Sequence, residues 1–242
     1  MKNLPFLILG LIGTVLVPSA ALADNIYFTD NFSGTSVNPA YWQTILPLST
    51  SSVVEGGGVV TTTGRGVLAT ANQYTAPYQI TGDFTMLTSD EHFNISLRTG
   101  LTTDGTDSFF EEQGLIVSFA QDGQEVSIQE YTSPTDWNQI ALANYSFQVG
   151  QEYSFGIIDT GTSISLSVDG VDLLSANSSF SDGSNIAFYS REFPNTATAI
   201  DDISIKAVPD SGLGLGTVAA TLLGICGLGS LKLYRKNHEF QQ

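Results

Sequence analysis

Cysteine and histidine are nearly absent from this 242-residue chain, which has one cysteine and two histidines. The cysteine, Cys226, lies in an apolar stretch near the C-terminus, so the segment before it has no disulfide and depends on its core for stability. A zinc site built from histidine and cysteine is excluded for want of ligands. No G-x-S-x-G sequence accompanies His92, so the chain lacks the nucleophile motif of a serine hydrolase.

Basic residues are also scarce, with 8 Lys and Arg against 24 Asp and Glu and a formal net charge of −16. Such a surface repels nucleic acid and anionic lipid, and we expect no nucleic-acid partner. It is compatible with neutral glycans or divalent cations as ligands. A surplus of carboxylates also keeps a protein soluble without any specific acidic site.

Helical spacing of apolar residues is missing between residues 24 and 207, where period-two alternation recurs instead. In Ser163 to Val168 every second residue is apolar, and turn sequences such as Asp122-Gly123 and Asp169-Gly170 separate the alternating stretches. The pattern predicts one all-β domain, a two-sheet antiparallel jelly-roll sandwich. Its predicted strands include Val53 to Thr61, Tyr78 to Leu87, Phe93 to Thr99, Leu115 to Phe119, Val126 to Ile128, Ile140 to Tyr145, Tyr153 to Ile157, Val171 to Leu174, Asn185 to Tyr189 and Ile200 to Ala207.

The N-terminus has the layout of a secretory signal peptide. An uncharged apolar run from Leu4 to Val17 follows a lysine and ends at Pro18, and the small residues Ala21 and Ala23 come next. The run is shorter than the roughly 20 residues that span a bilayer. Residues 1–23 are therefore predicted to be a signal peptide that is cleaved after Ala23.

The C-terminus contains a second apolar segment. Residues 213–231 carry no charge, and a basic tail follows at residues 232–236. A helix of about 19 residues is roughly 28 Å long, close to the thickness of the hydrocarbon core. We therefore expect a transmembrane helix, with the basic tail cytoplasmic and residues 24–207 outside.

Directly before this apolar segment stands the sequence VPDSG, formed by Val208, Pro209, Asp210, Ser211 and Gly212. Together with the apolar segment and the basic tail, residues 208–237 resemble the VPDSG variant of the PEP-CTERM sorting signals of Gram-negative bacteria. The resemblance implies an exosortase-like sorting enzyme as partner and at least transient residence in the inner membrane. It also implies a final location at the cell surface or in the extracellular matrix, whereas an uncleaved chain would remain a single-pass membrane protein.

The exported segment resembles the concanavalin A-like lectin/glucanase superfamily. The resemblance is carried by FTDNFSGTSVNPAYW (Phe28 to Trp42), GLIVSFAQDGQEVSI (Gly114 to Ile128) and the two pieces NIAFYSREF and AIDDISI between Asn185 and Ile205. It implies the jelly-roll fold and a role with carbohydrates. It does not by itself imply an activity, because one fold serves many functions.

Glucanases of this superfamily place catalytic acids in an E-x-D-x-(x)-E pattern, so that nucleophile and general acid share one face of a strand. That pattern is absent here. Glu125 and Glu130 are the nearest candidates, but their odd separation puts them on opposite faces of a regular strand. The adjacent pairs Glu111-Glu112 and Asp90-Glu91 diverge for the same reason.

A glycan-binding surface is the alternative to catalysis, and QEYTSPTDWNQ, which reads as a loop, offers suitable side chains. Tyr131 and Trp137 would stack on a sugar ring, while Asp136 and Asn138 would bond its hydroxyls. Trp42 is expected to be a core residue. The competing interpretation of Tyr131 and Trp137 is that they only cap the edge of the sandwich.

No cofactor is required by these patterns, although a structural calcium ion is compatible with three of the carboxylates. Asp30 lies near the first strand, and Asp201 and Asp202 lie in the last. The terminal strands pair in the folds that this sequence resembles, so these three carboxylates are expected to meet. Calcium takes six to eight oxygen ligands, and backbone carbonyls would complete the shell.

These observations favour an exported bacterial protein that binds glycans without catalysis at the cell surface or in extracellular polysaccharide. Two alternatives stay open at this point. One is a glycoside hydrolase with an atypical carboxylate pair, and the other is a purely structural envelope or matrix protein.

The two predicted processing events can be tested together by mass spectrometry of the mature protein from fractionated cells. We expect an N-terminus at Asp24 and a C-terminus ahead of residue 213, because the signal peptide and the sorting segment are both removed. A mature chain that retains Cys226 and the basic tail would contradict the sorting prediction and leave a permanent anchor.

Overall fold

The computed structural model describes residues 26–47, 49–100, 114–133, 136–178, 180, 183–190 and 195–208. The predicted signal peptide and the segment from residue 209 onward lie outside these ranges, so both stay predictions. In the part of the chain that is described, no helix is long and apolar enough to cross a membrane. The secondary structure there consists of the strands β1 (Ile26–Asp30), β2 (Trp42–Ile45), β3 (Ser52–Gly56), β4 (Val59–Thr63), β5 (Val67–Thr70), β6 (Tyr78–Met86), β7 (His92–Thr99), β8 (Gly114–Ala120), β9 (Glu125–Ser133), β10 (Asp136–Asn144), β11 (Glu152–Asp159), β12 (Ser163–Val168), β13 (Val171–Asn177), β14 (Asn185–Ser190) and β15 (Ala197–Ala207).

The strands form two antiparallel sheets, which confirms the predicted all-β sandwich. The eight-stranded sheet has the order β13-β12-β11-β6-β15-β4-β3, with β1 also paired to β15. The seven-stranded sheet has the order β10-β9-β8-β7-β14-β5-β2. The first and last strands pair as expected, with Asp30 opposite Ile203.

Two sequence predictions about local structure were wrong. The stretch from Val53 to Thr61 is not one strand, because Gly57 and Gly58 take φ angles of 70° and 90° and turn the chain between β3 and β4. Such positive φ angles suit glycine, which has no Cβ. The stretch from Gln129 to Gln139 was predicted to be a loop, but its described residues 129–133 and 136–139 belong to the paired strands β9 and β10.

The core between the sheets is rich in aromatic rings. Phe84 of the eight-stranded sheet lies 4.9 Å from both Phe93 and Phe119 of the seven-stranded sheet, measured between ring centroids. Trp42 is 2% exposed, which confirms its predicted place in the core. Rings of this size bury a large apolar area each, so contacts across the two sheets supply much of the stabilisation in a domain whose described residues contain no cysteine.

A buried ion pair links the sheets at one end of the sandwich. Arg98 at the end of β7 donates from Nε to Asp159 Oδ2 of β11 at 2.8 Å, and its Nη2 donates to Asp159 Oδ1. The guanidinium also donates from Nη1 to the carbonyl oxygens of Ser178 and Phe180. The hydrogen bonds to Asp159 raise the pKa of the Arg98 guanidinium. Burial beside the pair raises the pKa of the Tyr78 hydroxyl.

Asp159→Ala is expected to lower the free energy of unfolding by about 3–5 kcal/mol, because it leaves the Arg98 guanidinium buried without its counter-ion. Urea unfolding measures the effect. The matched control is Asp172→Ala, which removes a carboxylate from the exposed strand β13 and should change stability by less than about 0.5 kcal/mol. Equal stabilities of the two variants would contradict a structural role for the pair.

Candidate functional site

The seven-stranded sheet has an outer face that points away from the eight-stranded sheet. Because strand residues alternate between faces, the outer face is composed of the residues that alternate with the core residues. One row across the sheet is Gln43, Ala69, Ala187, Ser96, Ile116, Gln129 and Gln139, and the next is Ile45, Val67, Tyr189, Asn94, Ser118, Ser127 and Leu142. The middle of this face consists of small, apolar and neutral polar residues that are buried, whereas the margin on β9 and β10 is more exposed.

Two aromatic residues predicted to bind carbohydrate lie together on that margin. Tyr131 of β9 is directly opposite Trp137 of β10, and their rings stack with centroids 6.0 Å apart and an interplanar angle of 17°. Trp137 is 54% exposed. The Tyr131 hydroxyl donates to Gln129 Oε1 at 3.3 Å, and Gln129 Nε2 donates to Ser127 Oγ at 3.0 Å. We call Tyr131, Trp137, Gln129 and Gln139 the aromatic platform.

The other two predicted residues do not join this platform. Asp136 Oδ2 accepts a hydrogen bond from Thr132 Oγ1 at 2.9 Å, which fixes the turn end of the hairpin. Asn138 is opposite Glu130, and directly opposed residues share a face, so Asn138 points to the opposite side from Trp137. The amides on the aromatic face are those of Gln139, which the sequence also offers in this stretch, and Gln129. Period-two counting from Tyr131 would have found Gln129 had the stretch been treated as a strand.

The carboxylates of β9 lie on opposite faces of the strand, as the sequence predicted. Glu125 is opposite Ala120 on the outer face. Glu130 points the other way and accepts a hydrogen bond from Ser178 Oγ at 2.5 Å. Among the described outer-face residues of strands β7, β8 and β9, Glu125 is the one carboxylate. Asp122, in the turn between β8 and β9, lies 2.6 Å from Nε2 of His92, measured from Oδ1. Glu111 and Glu112 lie outside the described residues.

The carboxyl group of Glu91 is fully buried, whereas that of its neighbour Asp90 is exposed. Burial raises the pKa of Glu91 from 4.5 to about 7, and neighbouring hydroxyl groups oppose that rise, among them Thr88, which donates from Oγ1 to Glu91 Oε2 at 3.3 Å. Its Oε1 has no hydrogen-bond partner within the described structure. Because the group is enclosed between the sheets, we assign it to the structural core and not to a catalytic site.

Two of the three carboxylates predicted to bind calcium accept hydrogen bonds within the protein. Asp30 accepts from the Phe32 backbone N–H at 2.9 Å and from Trp42 Nε1 at 2.8 Å. Asp201 Oδ1 accepts from the backbone N–H of Asp202. Across the described ranges, no group of three or more His, Cys, Asp or Glu residues is arranged to hold a metal ion. Calcium binding by these residues stays a prediction.

Comparison with known proteins identifies the fold and nothing finer. No protein-family model matches the chain, and no curated protein matches it either. Among solved structures, the chain is similar to the carbohydrate-binding module CBM66 from Bacillus subtilis, with a TM-score of 0.56, 11% identity and coverage of 72% of this chain and 98% of the module.

Two glucanases are similar to the same degree. A β-glucanase from Bacillus licheniformis gives a TM-score of 0.57 at 14% identity, with coverage of 77% of this chain and 99% of the enzyme. An endo-β-1,3-glucanase from Pyrococcus furiosus gives a TM-score of 0.57 at 11% identity, with coverage of 75% of this chain and 94% of the enzyme. Since a binding module and enzymes match equally well, the shared jelly-roll fold does not distinguish between them.

The buried Glu91 carboxyl group predicts a fall in stability with rising pH. Its pKa is about 7 in the folded protein against 4.5 ordinarily, so the folded state holds this proton more tightly than the unfolded state. The stabilisation is complete below pH 4.5 and is lost as the pH rises through 7, by about 3 kcal/mol in total.

Glu91→Gln should remove this pH dependence, because an amide does not ionise. Urea unfolding at pH 5 and pH 8 should show the variant more stable than the parent at pH 8, with little difference at pH 5. Asp172→Asn, which removes an exposed carboxylate, should follow the parent at both pH values. If the free energy of unfolding falls equally between pH 5 and pH 8 in Glu91→Gln and in the parent, Glu91 is not the source of the pH dependence.

Proposed function

We propose that residues 24–207 form a noncatalytic glycan-binding domain that is exported and delivered to the cell surface or to extracellular polysaccharide. The observation that carries the proposal is the aromatic platform, in which the exposed Trp137 stacks on Tyr131 beside two amide side chains. The C–H face of a sugar packs on such rings, and its hydroxyls bond to amides.

The rigidity of the platform supports this proposal. Tyr131 and Trp137 lie on paired strands and not on a loop, and the hydrogen bonds from Tyr131 to Gln129 and from Gln129 to Ser127 hold the β9 side chains in place. Side chains that are already ordered lose little entropy when a ligand binds. The net charge of −16 favours a neutral glycan over an anionic one.

The separation of the carboxylates favours binding over hydrolysis. Retaining glycosidases hold two carboxyl groups about 5 Å apart across the scissile bond, and inverting enzymes hold them roughly 6.5–9.5 Å apart. Glu125 and Glu130 point to opposite sides of β9, so they cannot flank one sugar. The similar structures are those of a carbohydrate-binding module and two glucanases, which supports a carbohydrate ligand for this chain.

Export and sorting belong to the same proposal. Residues 1–23 would direct secretion, and the VPDSG segment at Val208 to Gly212 would present the chain to an exosortase-like enzyme in the inner membrane. Removal of the segment would release a domain whose ligand is then the surrounding polysaccharide.

Trp137→Ala should weaken glycan binding at least about tenfold, equivalent to about 1.4 kcal/mol, because it removes the exposed ring of the platform. A neutral-glycan array followed by affinity electrophoresis of the best polysaccharide measures the loss, and Tyr131→Ala should weaken binding in the same direction.

The matched control is Leu142→Ala. Leu142 is 48% exposed on the same strand and the same face as Trp137, but it lies toward the other end of β10. The Leu142→Ala variant should bind the glycan with the affinity of the parent domain. If the parent domain binds no neutral glycan, or if both variants lose affinity equally, the platform is not a glycan site and a structural envelope role gains support.

A further inference from the structure

Both ends of the described chain emerge at the same end of the sandwich. Ile26, the first residue of β1, is opposite Lys206 near the end of β15. The backbone N–H of Val208 donates to the carbonyl oxygen of Pro77 at 3.3 Å, so the chain is held to the domain up to that residue. We call this the exit end.

The exit end exposes apolar and amphipathic side chains on a rigid support. Ile26 is 58%, Tyr27 47% and Tyr41 37% exposed. Tyr27 lies 5.2 Å from the ring of the buried Tyr74, and Tyr41 stacks on the buried Phe28 with ring centroids 5.4 Å apart. The exposed tyrosines therefore stand on an ordered aromatic layer.

The charges at the two ends of the sandwich differ. Lys206, one of the few basic residues, lies at the exit end. Among the described residues, the one exposed carboxylate at this end is Asp136, at the start of β10. The opposite end also exposes aliphatic side chains, among them Val171, but these stand among exposed carboxylates. Those carboxylates are Asp90, Asp122, Glu152, Asp169 and Asp172. A bilayer surface accepts tyrosine and lysine at the headgroup level and disfavours a cluster of carboxylates.

The sequence leaves almost no linker between this end and the predicted membrane span. The predicted transmembrane segment starts at residue 213, and fully extended residues 208–212 reach at most about 18 Å. A chain inserted through this segment therefore keeps the exit end within reach of the headgroups, whatever the domain binds elsewhere.

We propose that, while the C-terminal segment is inserted, the exit end rests on the bilayer with Ile26, Tyr27 and Tyr41 in the headgroup region. The inference depends on the predicted membrane span and not on glycan binding. It identifies a lipid-contact surface and fixes the orientation in which the domain is presented before it is released.

The test uses the chain of residues 24–242 with Cys226→Ser, reconstituted into phosphatidylcholine vesicles. Single cysteines at position 26 and at position 171 carry an environment-sensitive fluorophore; the natural residues there, Ile26 and Val171, are 58% and 57% exposed at opposite ends of the sandwich. The label at position 26 should emit at a shorter wavelength than the label at position 171, because its surroundings are less polar. Nitroxide lipids with shallow labels should quench it at least about threefold more than the label at position 171.

A further variant separates contact from mere proximity. Tyr27→Ser removes an exposed ring, so it should reduce the quenching at position 26 while the chain still floats with the vesicles. Equal quenching at positions 26 and 171, or no effect of Tyr27→Ser on a folded and floating chain, would overturn the proposal. Failure of the chain to float would overturn it as well, because the anchor would be absent. None of these outcomes bears on the Trp137→Ala test.

Discussion

The arrangement at the exit end depends on the buried Arg98–Asp159 ion pair. By strand alternation Arg98 should point to the outer face, since its neighbour Leu97 points into the core. A register shift in β7 and a φ of 52° at Arg98 turn its guanidinium toward Asp159 of the other sheet. A left-handed backbone at arginine costs of order 1–3 kcal/mol, and the hydrogen bonds that the side chain makes hold it there.

The same pair fixes the surroundings of the aromatic platform. The Arg98 carbonyl oxygen accepts a hydrogen bond from the Gly183 backbone N–H at 3.0 Å. The Arg98 side chain donates to the carbonyl oxygens of Ser178 and Phe180. These three residues, which precede β14, are therefore held to Arg98. Ser178 in turn donates to Glu130 of β9. Glu130 lies next to Tyr131, so the anchoring extends from a core ion pair to the strand that carries the platform.

The sequence predicted well the features that depend on local alternation, and poorly those that depend on distant contacts. Strand β12 was predicted with its observed ends, because its apolar residues alternate over its whole length. Strand β10 was missed in its first half because an edge strand with both faces exposed has no apolar alternation. The partners Arg98 and Asp159 are 61 residues apart along the chain, and a bulge reverses the face that alternation assigns to Arg98.

The platform and the lipid-contact surface lie toward the same end of the sandwich, because β10 begins where β1 begins and where β15 ends. Taken together, the two proposals imply that an inserted chain holds Trp137 close to the bilayer, where long polysaccharides approach with difficulty. Removal of the C-terminal segment would open that end to solvent. On these two proposals the short connection between β15 and the apolar segment would couple sorting to ligand access, because a long flexible linker would leave the platform equally open in both states.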